Sequence, residues 1–123
     1  MKILLLIGAI NGFLAVALGA FGAHGLEGRL SEKMLATWEK AVQYQMFHTL
    51  AIVASALLFM KTNISMFQTA GWMFLIGIII FSGSLYIYST TSVKTFAMIT
   101  PIGGVAFLIG WVILGIGIMR IVS

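Results

Sequence analysis

Four long stretches without a single Asp, Glu, Lys or Arg dominate this sequence. They lie between Lys2 and Glu27, Lys40 and Lys61, Lys61 and Lys94, and Lys94 and Arg120. Each holds ~20 residues or more, enough for an α-helix to cross ~30 Å of hydrocarbon. The expected fold is all-α: an integral membrane bundle of four transmembrane helices, with a short amphipathic interfacial helix between the first two. The spans are expected at about 3–23, 41–60, 67–88 and 101–119, and the connector at about 31–40, within a single domain of 1–123.

Only 8% of the residues are charged, against roughly 25% in a soluble domain. Such a chain cannot cover a water-facing surface. Its net charge of +4 comes from basic residues dispersed singly near the ends of apolar spans. There they suit headgroups and anionic lipid, and no nucleic-acid partner is expected. The expected partners are the lipid bilayer, further copies of the chain or other membrane subunits, with any ligand unknown. Cysteine is absent, which excludes disulfides and thiolate metal sites. The first apolar run resembles a secretory signal, but it continues uncharged to Leu26 and is read as a spanning helix.

Small residues Gly8, Gly12, Ala15, Gly19 and Gly22 recur at threes and fours on the first span, a face that lets another helix approach closely. The Gly8–Gly12 pair fits internal packing or a seam between copies. The next segment carries Glu27, Arg29, Glu32, Lys33, Glu39 and Lys40. Ser31 is placed to cap a helix, and Met34, Leu35, Trp38, Ala41 and Val42 share one of its sides. This helix is expected to lie at the interface or to lead into the second span, with His24, Trp38 and Lys40 at the interface. Thr100-Pro101 either opens the fourth helix or, if that helix begins near Lys94, places Pro101 inside it.

Counting crossings gathers the polar residues. The first span ends, the second begins, the third ends and the fourth begins on one side of the membrane. The candidate intramembrane cluster in that half is Tyr44, Gln45, His48, Ser84 and Tyr86. An ionisable group inside a span commonly faces protein or water and marks a pathway, and His48 is such a group. The bland alternative is a histidine bonded to a neighbouring helix. All three acids lie in the first connector, which argues against a buried carboxylate relay. His24, His48 and Glu39 lack the close spacing of a zinc motif, so no metal, cofactor or catalytic residue is expected.

The runs Gly19–Leu26, Trp38–His48, Phe81–Tyr86 and Thr100–Gly104, with Gly110-Trp111, resemble the domain-of-unknown-function 423 family. These are small bacterial inner-membrane proteins of the YgdD and YwdK type. The resemblance implies a multi-pass protein of the cell membrane and supplies no substrate, reaction or cofactor. Two functions follow as expectations. One is a non-enzymatic accessory or self-associating membrane protein. The other is a carrier, channel or binding protein for a small solute, lipid or ion, with its pocket between helices two, three and four.

Overall fold

The computed structural model describes residues 1–121, and these form helices joined by short turns. Helix α1 is Lys2–Gly25, α2 is Glu32–Thr62 and α3 is Ser65–Gly77. A π-helical turn, Ile78–Ser82, joins α3 to α4 (Gly83–Thr91), and α5 is Lys94–Ile121. The third span is thus the continuous run Ser65–Thr91, and among the described residues four helical runs are long and apolar enough to cross a membrane.

The separate interfacial helix expected between the first two spans does not exist. Residues 32–40 are the first turns of α2, which continues unbroken for 31 residues. No glycine or proline interrupts that stretch. Its apolar side covers protein rather than lying flat on lipid: Trp38 and Ala41 are buried. Ser31 does cap the helix, accepting from the Met34 amide at 3.2 Å. At the far end Asn63 takes a left-handed conformation (φ 58°) that closes the turn into α3. Ser92 does the same before α5 (φ 59°). Helix α5 begins at Lys94, so Pro101 lies inside it. Proline offers no amide to the preceding turn, and the Thr100 hydroxyl donates to the Phe96 carbonyl at 3.1 Å beside it.

Small residues set how closely the helices pack. The small face of α1 meets α2: a Cβ on Gly8 would lie 2.6 Å from Val53, and one on Gly19 would lie 3.2 Å from Val42. That face is therefore used inside the bundle. The outer face of α1, including Ile3, Leu6, Phe13 and Val16, is exposed, as expected of a peripheral helix in lipid.

The third and fourth spans meet through a ladder. Phe67, Phe74 and Phe81 stand seven residues apart, as do Gly117, Gly110 and Gly103, and the two series pair in antiparallel order. A seven-residue period keeps one face of a helix towards its partner. The Phe67 and Phe74 rings fill the spaces over Gly117 and Gly110, where an added Cβ would lie 2.9 Å and 2.7 Å from ring carbons. At the third rung Gly103 rests against the Phe81 backbone itself, at the π-helical turn. In return, Phe107 of α5 sits over Gly77. These rings, with Leu4, Ile52, Ala56, Ala70 and Leu114, form the apolar core.

Candidate functional site

The polar side chains expected to form one cluster occupy three places. The first is a buried line across α1, α2 and α4. The Tyr86 hydroxyl donates to Gln45 Oε1 at 2.7 Å, and Gln45 Nε2 donates to Asn11 Oδ1 at 3.1 Å. Asn11 Nδ2 then donates to the Ile7 carbonyl at 3.0 Å. Both ends of the Gln45 amide are thereby engaged in a space that excludes water, where an unmet amide would cost several kcal/mol. Trp38 closes the line at its charged end. Its ring stands edge-on to Tyr86 with centroids 4.6 Å apart, and its indole N–H donates to the Leu18 carbonyl at 2.9 Å. Trp38 is thus a buried bridge between α1, α2 and α4, while His24 and Lys40 are exposed.

The second place is between α4 and α5. The Thr100 hydroxyl, whose proton goes to Phe96, accepts from the Ser84 hydroxyl at 2.6 Å, and the Phe81 carbonyl lies 2.9 Å from Ser84 Oγ. Two residues earlier, Ser82 donates to the Ala41 carbonyl of α2 at 2.8 Å. Ser84 is therefore part of the fastening around the π-helical turn and does not join Gln45 and Tyr86.

The third place belongs to His48. Its ring lies flat on Phe107, with centroids 3.6 Å apart and planes within 10°. Nδ1 is 2.8 Å from the Tyr44 carbonyl, and the Trp111 indole N–H donates to Nε2 at 3.1 Å. A carbonyl only accepts and an indole N–H only donates. Both contacts are satisfied by one form of the ring: neutral, with its proton on Nδ1. His48 is a packed and fully bonded link between α2 and α5.

Beside this link a groove of about 610 Å³ opens laterally between α2 and α5. Tyr44, Phe47 and His48 supply one wall; Gly104, Leu108 and Trp111 supply the other; Phe81 and Phe107 lie between them. The lining is largely aromatic. Tyr44 packs against Phe81 with ring planes tilted by 33° and centroids 4.5 Å apart, and Phe107 lies 5.4 Å from Phe81. Gln43 and Tyr44 are exposed at the end nearer the charged start of α2. The groove offers a long apolar wall with hydrogen-bonding groups at one end. It can hold an elongated apolar or amphiphilic molecule. Among the described residues no three His, Asp or Glu side chains come together as a metal set.

Asn11, Phe107 and Trp111 are the site residues that a reading by crossings leaves out. Asn11 is the sole amide in the first charge-free stretch, a signal visible in the sequence. Trp111 lies 63 residues from His48, and no spacing rule connects them.

The family model described as "Protein of unknown function (DUF423)" matches residues 18–104. A UPF0382 membrane protein of Staphylococcus epidermidis is 48% identical over 98% of both chains. The UPF0382 membrane protein YwdK of Bacillus subtilis is likewise 48% identical over 98% of both. A Staphylococcus haemolyticus relative of the same description is 44% identical along the whole of each chain. No solved structure matches.

Proposed function

The chain belongs to the DUF423 family, and from that starting point we propose a non-enzymatic binding protein of the bacterial cell membrane. It acts as an accessory component, holding an apolar or amphiphilic molecule in the groove between α2 and α5. One observation carries this reading. The buried side chains Asn11, Gln45, Ser82 and His48 and the half-buried Tyr86 are bonded to other groups of the bundle. A conduit for ions or polar solutes needs polar groups free to replace a hydration shell. The groove beside His48 is an open surface lined mostly by rings, and it faces sideways.

Two measurements test the reading together. In proteoliposomes, His48→Ala should leave small-solute and ion flux at the level of protein-free vesicles, as should the unaltered chain. Flux above that level, lost on His48→Ala in a folded protein, would make it a carrier or channel. A spin label on Leu108, with lipid-soluble quenchers, should report an apolar site occupied by chain-like molecules. An aqueous environment at that position would sink the groove as a lipid-phase site.

A further inference from the structure

Gly104 has no packing reason to be glycine. Its neighbour Gly103 is pressed against the Phe81 backbone, but a Cβ on Gly104 would meet nothing closer than the Phe81 ring at 3.9 Å. Glycine in a helix interior costs up to ~1 kcal/mol relative to alanine. What Gly104 does provide is room, because it lines the groove between α2 and α5. A side chain there would project into the space between Tyr44 and Leu108 without disturbing the helix–helix contact.

The charge beside the groove is also ordered. Lys40, Tyr44 and His48 follow one another at spacings of four, so they share a face of α2. Lys40 is exposed and lies about 6 Å along the helix axis from Tyr44, beyond the polar end of the groove. Its acidic neighbour Glu39 does not line the groove: with Gly19, Trp38, Val42 and Gln43 it lines a recess between α1 and α2, and of these only Gln43 also borders the groove. From one end to the other, the α2–α5 face therefore reads cation, amide and phenol, then aromatic wall. That is the complement of an anionic headgroup, its glycerol ester region and one acyl chain.

Resting on the groove reading above, we propose that this is a site for an anionic phospholipid. One chain lies over Phe81 and Phe107 in the space kept by Gly104, and the phosphate is drawn to Lys40. Binding is non-covalent.

The test uses the full chain in phosphatidylcholine nanodiscs holding a minor fraction of a phospholipid with a photoactivatable acyl chain. The headgroup is either phosphatidylglycerol or phosphatidylcholine. The glycerol probe should label the groove walls about fivefold more than the choline probe, the gain expected from one lysine near an anionic surface. Lys40→Gln should abolish that preference and keep the labelling. Gly104→Leu should remove labelling of both walls by both probes, with Gly104→Ala intermediate as the variant least able to perturb folding. Equal labelling by the two probes that Gly104→Leu still blocks would overturn the anionic site and leave the groove reading standing. Labelling spread along every lipid-facing helix, or insensitive to both Gly104 variants, would overturn the two together. So would products joining two copies of the chain through the groove in place of lipid adducts.

Discussion

Phe81 and Gly103 meet backbone to backbone at the π-helical turn, where an added Cβ on Gly103 would collide with main-chain atoms of the third span. A π turn bonds five residues back, as the Gly83 amide does to the Ile78 carbonyl. It is wider than an α turn and re-aims the residues around it. Here Ser82 reaches the Ala41 carbonyl of α2 while Phe81 turns towards Tyr44 and Phe107. The floor of the groove and the fastening of three spans therefore depend on one irregular turn.

The ladder predicts which glycines matter. Gly110→Val should destabilise the protein by about 1–3 kcal/mol, because Phe74 would have to leave its place in a filled core. Gly115→Ala, with nothing within 4 Å of an added Cβ, should be neutral or stabilising. Thermal unfolding in detergent, followed by size-exclusion profile, separates the two.

The buried amide line should behave as a unit. Tyr86→Phe and Asn11→Leu should each cost about 0.6–2 kcal/mol, the usual worth of an interhelical hydrogen bond in lipid. With Gln45→Leu added to Asn11→Leu, the loss should be smaller than the sum of the two single losses, because no unmet amide remains between those positions. A double-mutant cycle on unfolding free energy reads this directly.

His48 should show one tautomer. Nitrogen-15 magnetic resonance of the chain in bilayers should find the proton on Nδ1 at neutral pH. Trp111→Phe removes the donor to Nε2 but leaves the Tyr44 carbonyl on Nδ1, so the proton should stay on Nδ1 while the Nε2 resonance shifts. A proton on Nε2 in the unaltered chain would contradict the Trp111 contact.

Ser55 is fully buried, and its hydroxyl has no partner among the described residues. Ser55→Ala should therefore be neutral or stabilising by about 1 kcal/mol. Ser92→Gly should also stabilise, by roughly 0.5–1 kcal/mol, since serine pays a steric cost at a left-handed φ of 59° that glycine does not. Both are checked by the midpoint of thermal unfolding.

The four helices long and apolar enough to cross a membrane were legible because charge is excluded from hydrocarbon, and each gap between charged residues is long enough to cross it. The interfacial helix misled for a physical reason. A helix lying on lipid and a helix end resting on protein have the same periodic apolar face. The sequence around Trp38 says that a face is covered, not what covers it. Counting crossings placed Gln45, His48, Ser84 and Tyr86 in one half of the bundle. It could not pair them, because pairing depends on rotations about helix axes that spacing leaves free. The Phe–Gly ladder was open to simple counting by sevens from Phe67 and from Gly103.

Helix α2 is 31 residues long, about 46 Å, and so overreaches the ~30 Å hydrocarbon layer. Its surplus, the stretch bearing Glu32, Lys33, Glu39 and Lys40, stands outside the oily layer on the same rod that carries Tyr44 and His48. No glycine or proline breaks that rod, so Tyr44 and His48 keep a fixed height and rotation relative to the charged turns at its outer end, and Trp38 anchors those turns to α1.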